Sequence, residues 1–265
     1  MRGLPLINSR YWLTLVAASI FGTNTGDMIS EYFHLGNLAG LPWLAVAVAA
    51  VFLVERLSPW ASAVYFWAAI ILIRTGATNI ADATHPLGIY GVALVPVILA
   101  AFAGMVWFYK RRVDARPVAL GTPKVDGVYW FCMALAGIVG TLIGDFGSGA
   151  FAFASYEAAH LAGAVSGGFD FAWMQTGHVV ATLVFGGAVV AMVARNSFAE
   201  LAKPVKYWTL LALIRTAGTA AGDYIAHTGL GLAGSSLVTG LAFAGLVTGF
   251  YVMKKDNLVA LGQPG

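Results

Sequence analysis

A short polar pattern recurs four times in this chain and constrains its fold more than any other feature. In each copy a small residue precedes Thr, and a second small residue precedes an Asp that stands four positions after that Thr. The copies end at Asp27, Asp82, Asp145 and Asp223. A Trp stands fifteen positions before each of these Asp residues, at Trp12, Trp67, Trp130 and Trp208. A spacing that is kept four times indicates an internal repeat.

The runs around the four copies are long and apolar enough to cross a membrane. The chain is 59% apolar and only 10% charged, whereas roughly a quarter of the residues in soluble domains are charged. Apolar runs of about 20 residues match a hydrocarbon core about 30 Å thick. We therefore predict an all-α polytopic membrane protein whose eight transmembrane helices form four tandem hairpins. The predicted spans are 10–32, 38–56, 60–82, 88–109, 127–149, 172–194, 205–226 and 231–253.

The four copies fall into two pairs, which predicts one membrane domain made of two halves. The first and third copies share Tyr-Trp and a later Glu-x-x-His-Leu, whereas the second and fourth share Ile-Arg-Thr. We predict halves at 1–115 and 116–265, related by a pseudo-two-fold, approximately four-fold, axis along the membrane normal. The third copy carries an apolar insert at about 146–170 without Lys or Arg, which we expect to be a re-entrant or interfacial segment over the outer mouth.

The distribution of Lys and Arg predicts the orientation. Most of the fifteen lie at the termini and in three of the seven predicted connections, whereas the other four connections have none. This asymmetry places both termini in the cytoplasm. It also explains the net charge of +3 without a nucleic-acid partner. The lipid bilayer is therefore the expected partner, and assembly into a homo-oligomer is left as an open alternative. The single Cys132 excludes an intramolecular disulfide and a Cys-based metal cage.

The Trp and the Thr-x-x-x-Asp spacing resemble those of a family of uncharacterised bacterial integral membrane proteins. That family is built from a tandem repeat of unknown function, with four copies per chain and two transmembrane segments in each. The resemblance covers essentially the whole chain and implies this fold in the bacterial cytoplasmic membrane. It implies no activity, because the family has none established, so a function has to be argued from the residues.

The four Asp residues are predicted to form a cation site. With each Trp at the cytoplasmic interface, fifteen residues of helix place the Asp about 22 Å across the bilayer. A carboxylate facing lipid costs about 2.5–3.5 kcal/mol at a helix centre, so we expect all four to point inward. The Thr of each copy lies on the same helical face and is predicted to line the same path, at Thr23, Thr78, Thr141 and Thr219. The alternative is that the pattern only packs helices together through small residues and hydrogen bonds.

Further ligand types follow the Asp residues and are predicted to form an outer vestibule that binds metal. The candidates are Glu31, His34, His85, Glu157, His160 and His227. Glu-x-x-His occurs once in each half, and paired Glu-x-x-His is an arrangement of di-iron and di-manganese sites. Asp27, Glu31 and His34 would share one face if their helix continues. Imidazole and carboxylate suit Mn, Fe, Co, Ni or Zn, and no organic cofactor is indicated. We expect His178, which has no counterpart in the second span, to pack between helices.

Two Arg residues interrupt the apolar spans and reduce the apparent four-fold pattern to a two-fold one. Arg74 and Arg215 stand seven positions after their Trp, where the other copies have Ser19 and Gly137. A buried guanidinium keeps its charge and needs a partner. We predict a counter-charge to the Asp set or a gate below it, in preference to an anion site, because the surrounding ligands are acidic.

These features favour a transport protein, either a transporter or a channel, for a divalent transition metal or another small cation. A membrane-embedded di-metal enzyme with an extracytoplasmic site is the alternative from another class. A non-catalytic sensor or scaffold is a third, which the short loops disfavour. Parallel repeats weaken the usual alternating-access scheme without excluding it.

Overall fold

A computed structural model describes residues 4–59, 62–115, 124–165 and 167–253. Within these ranges the chain is helical and contains no strand. The long helices are α1 Ser9–Asp27, α2 Leu41–Leu57, α3 Ala63–Asp82, α4 Ile89–Ala115, α5 Gly127–Leu161, α6 Phe171–Ala194, α7 Pro204–Ile225 and α8 Gly231–Val247. The predicted second half begins in 116–123, and Arg2, Lys254 and Lys255 lie in 1–3 and 254–265; these three ranges are outside the described residues.

Short helical turns join or extend these helices. Three π-helical turns continue α1, α7 and α8, over Met28–Tyr32, Ala226–Leu230 and Thr248–Val252. A 3-10 turn, His85–Leu87, precedes α4, and four-residue helices precede α2 and α7 at Gly36–Ala39 and Phe198–Leu201. Several long helices begin at a polar side chain that accepts hydrogen bonds from the first-turn N–H groups. These capping residues are Asn8, Ser62, Asp126 and Asp170.

Among the described residues, six helical segments are long and apolar enough to cross a membrane, and they identify a membrane protein. The segments are Gly36–Leu57, Ala63–Leu87, Gly91–Ala115, Gly127–Leu161, Phe171–Ala194 and Pro204–Val252. The last contains both α7 and α8, although the backbone leaves the helical region at Thr228 and Gly229 between them. The expectation of an all-helical membrane protein is therefore confirmed, whereas the number of crossings stays a prediction.

The odd-numbered helices form an inner ring and the even-numbered helices lie outside it. The inner helices pack in the cyclic order α1, α3, α5, α7, with α7 closing against α1. Outside the ring, α2 packs on α3, α4 mainly on α5, α6 on α5 and α7, and α8 on α1. Small residues allow the inner helices to approach closely. A Cβ on Gly22 would overlap Arg74, and one on Gly140 would overlap Arg215.

An aromatic layer closes one end of the inner ring. Trp12, Trp67 and Trp208 are buried there. Each packs edge-on against the aromatic residue that precedes it, with ring centroids 5.0–5.3 Å apart. This packing buries each indole against its aromatic neighbours inside the ring.

The insert expected to be a re-entrant or interfacial segment continues helix α5 over most of its length. Helix α5 does not end near residue 149 but continues to Leu161, so that 35 residues form one helix. Such a helix is about 52 Å long and exceeds the about 30 Å hydrocarbon core. Gly177 on α6 lies directly against Ser148 and Ala152 of the continued helix. Close packing against α6 therefore supports the extension.

Candidate functional site

The side chains of all four repeat Asp residues line one cavity of about 360 Å³. Asp27 and Asp82 are the last residues of α1 and α3, Asp223 lies in the last turn of α7, and Asp145 lies in the middle of α5. The same cavity is lined by Glu31, Asn37, His85, Pro86, Met174, His178 and His227. Its acidic wall is therefore supplied by every helix of the inner ring.

The equal depth of the four Asp residues follows from the helix register. The residues that open the inner helices pack together in the aromatic layer at one end of the ring. Fifteen residues of helix separate each repeat Trp from its Asp, a rise of about 22 Å. Helices that start in one layer and run in parallel therefore bring their Asp residues to one second layer. All four Asp residues are partly buried there.

Three imidazoles lie around the carboxylates. His85 Nε2 is 3.2 Å from Asp145 Oδ2, and His178 Nδ1 is 3.9 Å from Asp223 Oδ2. His227 Nδ1 is 2.7 Å from the backbone oxygen of Asp223, and its ring lies parallel to that of His178 at 6.5 Å. His178 therefore belongs to the cavity wall, and the expectation that it only packs helices is wrong. It enters from an outer helix, so the repeat pattern of the inner helices carried no signal for it.

One group of side chains has the spacing of metal ligands. Ligand atoms of Asp82, His85 and Asp145 all lie within 4.8 Å of one another. Two carboxylates and an imidazole are a ligand set that suits Mn, Fe, Co, Ni or Zn. The group joins α3 and the turn after it to α5, which are neighbours in the inner ring.

Arg74 lies about two turns before Asp82 on α3 and is 1% exposed. Its Nη2 donates to the hydroxyls of Thr23 and Thr219 at 2.5 and 2.7 Å. Its Nη1 donates to the hydroxyl of Thr141 at 2.7 Å and to the carbonyl of Gly137 at 3.2 Å. Three of the four repeat Thr residues thus surround this guanidinium.

The fourth repeat Thr, Thr78, also contacts Arg74, but through the backbone of the same helix, α3. Thr78 donates to the backbone oxygen of Arg74 at 3.3 Å. Within the described ranges no repeat Thr bonds to a repeat Asp, and no Asp forms an ion pair with Arg74. The structure therefore places the Thr layer between the carboxylates and the apolar core, around the Arg74 charge.

Arg215 occupies a different environment, although the sequence pairs it with Arg74. It is 0% exposed, and its Nη2 contacts Met133 Sδ at 3.5 Å. Its Nε and Nη1 have no hydrogen-bond partner among the described residues. The hydroxyls of Tyr11, Tyr129 and Tyr207, which are hydrogen-bonded to one another, lie within electrostatic range. The two Arg residues therefore occupy different layers.

Three of the predicted metal ligands lie outside the cavity. His34 is exposed in a turn with φ +54°, because α1 and its π-helical turn end at Tyr32; the shared face expected for Asp27, Glu31 and His34 does not form. Glu157 and His160 lie on the continued part of α5, about 18 and 22 Å along the helix from Asp145. His160 stacks on Tyr156 there. The two Glu-x-x-His motifs therefore do not meet.

Fold and site together define an all-helical membrane protein with an acidic cavity between its inner helices. A family model described as a Repeat of Unknown Function (DUF347) matches residues 206–256, which include nearly all of α7 and the whole of α8. In this region the chain is similar to an uncharacterised repeat-containing family. No curated protein matches the chain, and no solved structure matches it.

Proposed function

We propose that this chain is a membrane transport protein for a small cation, in particular a divalent transition metal. Its eight long helices would cross the membrane as four tandem hairpins, arranged around a pseudo-two-fold and approximately four-fold axis along the membrane normal. The cyclic packing of α1, α3, α5 and α7 supports this arrangement. So does the match of one family repeat to the single hairpin α7–α8.

The charge distribution supports an orientation for this topology. Among the described connections, Lys and Arg lie at the end of the bundle that holds the aromatic layer, at Arg56, Lys110, Arg111, Arg112, Lys124, Arg195, Lys203 and Lys206. The connections at the cavity end have none. Positively charged connections stay in the cytoplasm. The cavity would then face outward from the bacterial cytoplasmic membrane, and both termini would be cytoplasmic.

The observation that carries the proposal is an excess of carboxylates in one cavity. Four Asp residues and Glu31 line it. Within the described part of the chain, only imidazoles approach the Asp carboxylates as basic partners. Like charges that share a site repel unless a cation or protons offset them. Carboxylates at membrane depth mark cation paths and proton relays, so cation binding accounts for the whole set.

The layers below the cavity favour a transporter over a permanently open channel. The Arg74 guanidinium, held by three Thr hydroxyls, lies across the bundle axis. Below it are buried Arg215 and the aromatic layer. A cation would have to pass both Arg charges. Arg74 therefore acts as a gate that blocks the path unless its side chain moves.

The di-metal enzyme loses its main support. It required the two Glu-x-x-His motifs to converge, yet Glu157 and His160 are far along α5 from the cavity while Glu31 lines it. The third alternative, a sensor or scaffold, would be favoured by an absence of flux in the transport test below.

Flux into proteoliposomes tests the proposal directly. Vesicles loaded with a metal-sensitive dye would be exposed in turn to Mn²⁺, Fe²⁺, Co²⁺, Ni²⁺ and Zn²⁺. The unaltered protein is expected to carry at least one of these ions, and Asp145→Asn is expected to reduce flux to that of protein-free vesicles. The matched control is Asp114→Asn, which removes an exposed carboxylate paired with Lys110 outside the cavity. No flux of any ion, or equal flux in Asp145→Asn, contradicts transport.

A further inference from the structure

Resting on this proposed function, we propose that the cavity binds its ion away from the bundle axis, at one transition-metal site formed by Asp82, His85 and Asp145. The four repeat Asp residues are then not equivalent. The site lies between α3 and α5, so it joins the two predicted halves of the chain.

The geometry of the three side chains supports one shared ion. Ligands bound to a single zinc-like ion at about 2.0–2.2 Å in tetrahedral geometry stand about 3.3–3.6 Å apart. His85 Nε2 and Asp145 Oδ2 are already 3.2 Å apart, and all three ligand atoms lie within 4.8 Å of one another. Small side-chain rotations therefore suffice to bring them onto one ion.

The surroundings of Asp145 supply a second observation. Its Oδ2 atom is shielded from solvent and accepts no well-oriented hydrogen bond from any described residue, although His85 Nε2 lies 3.2 Å away. A buried carboxylate oxygen without a hydrogen bond is costly. Shared coordination of a cation with the neighbouring imidazole removes that cost.

The donor set selects the class of ion. Ca²⁺ and Mg²⁺ prefer oxygen ligands, whereas imidazole with carboxylates suits first-row transition metals. Three protein ligands leave a further coordination position directed into the cavity, as in zinc sites that exchange a bound group. An ion held in this way can be loaded from the cavity and released to it.

The internal repeat contains a second set of two Asp residues and one His at equivalent positions, but these three side chains do not form a metal site of the same geometry. The repeat relates Asp82, His85 and Asp145 to Asp223, His227 and Asp27. His85 follows its Asp by three residues, but His227 follows its Asp by four and lies in a π-helical turn. His227 Nδ1 is directed to the backbone oxygen of Asp223. Within the described ranges, only the first set has metal-ligand spacing.

Co²⁺ binding to the purified full chain, measured by calorimetry and by the visible absorption of the ion, tests the site. His85→Ala and Asp145→Asn are expected to raise the Kd by at least about 10–100-fold, the range that follows loss of even an outer-shell partner. His227→Ala is expected to raise it by at most about threefold, because this imidazole contributes only to the surrounding field. His160→Ala, outside the cavity, is expected to leave the Kd unchanged.

The possible failures are distinguishable. Equal losses in His85→Ala and His227→Ala overturn the single site but leave metal transport standing. Full affinity in His85→Ala with loss in Asp145→Asn places the ion elsewhere among the carboxylates. An unaltered chain that binds no Co²⁺ overturns the site, and absence of flux for every ion overturns the transport proposal as well. Thermal melting of each variant without metal identifies any that fail to fold, and His85→Gln then replaces His85→Ala.

Discussion

Arg74 shows how this membrane protein holds a full charge at its centre. Three Thr hydroxyls and one carbonyl accept hydrogen bonds from its two Nη atoms. A guanidinium stays charged and presents its donors in a rigid fork, so it needs several acceptors in fixed positions. The repeat supplies them because each inner helix carries a Thr at the same level. The carboxylates above are thereby left without an Arg partner.

Loss of one hydroxyl from this layer should destabilise the fold. Thr141→Val keeps the shape of the side chain but removes the group that accepts from Arg74 Nη1 at 2.7 Å. The expected loss is about 1.5–3 kcal/mol in the free energy of unfolding, since the bond involves a charged donor. Denaturation in detergent micelles measures it.

Thr176→Val is the matched control, because this exposed Thr on α6 bonds only to the backbone one turn earlier. Its expected change is within about 0.5 kcal/mol. Equal stability of the two variants would show that the Thr layer does not hold Arg74.

At the scale of helices, glycines decide how closely the inner ring can pack. Gly140 on α5 lies against the backbone and Cβ of Arg215 on α7, and Gly144 lies against Thr219 one turn later. In a membrane, close backbone approach replaces much of the hydrophobic driving force between helices. The α5–α7 contact therefore depends on these two positions more than on large side chains.

Gly140→Ala is expected to destabilise the protein by about 1–3 kcal/mol, because the added methyl group forces two packed backbones apart. The control is Gly104→Ala on α4, where nothing lies within 4 Å of the added Cβ. Alanine favours a helix over glycine by up to about 1 kcal/mol, so that control should be neutral or stabilised. Thermal melting of both proteins provides the comparison, and a more stable Gly140→Ala would contradict the close contact.

At the scale of the whole molecule, each outer helix packs on the inner helix of the next hairpin: α2 on α3, α4 on α5 and α6 on α7. Helix α8 packs on α1 and so closes the ring. Outer helices α2 and α4 expose most of their surface, in keeping with a lipid environment. The continued part of α5 extends past the cavity level alongside α6. The molecule therefore has a layered axis, with carboxylates, Thr and Arg74, Arg215 and aromatic rings in succession.

Thiol labelling tests the proposed eight crossings. The only Cys, Cys132, is buried, so the unaltered chain is the blank. With a membrane-impermeant reagent on intact cells, His160→Cys is expected to react, whereas Asp114→Cys and Glu200→Cys react only after permeabilisation. Labelling of positions 160 and 200 from the same side would contradict the topology.

The layer of carboxylates could be predicted from the sequence because it depends on a local quantity. Fifteen residues of helix set the rise from each Trp to its Asp, and the repeat applies that rise four times. The positions of the candidate ligands that follow the repeat Asp residues could not all be predicted in this way: Glu31, His85 and His227 line the cavity, whereas His34 and Glu157 do not. His34 does not share the face of Asp27 because the helix ends at Tyr32, and Glu157 lies far from the cavity because α5 continues to Leu161. Both differences arise because packing decides where a helix stops.

The sequence by itself determined a helical membrane protein with four carboxylates at one depth, since apolar run length and helix rise are properties of single segments. Only the tertiary structure decided that the repeat Thr residues serve Arg74, that Arg215 lies apart from it, and that His178 enters the cavity from an outer helix. It also decided that His85 meets Asp145 of the next inner helix while His227 turns to its own backbone. These contacts join residues on different helices, and their geometry depends on how the ring closes.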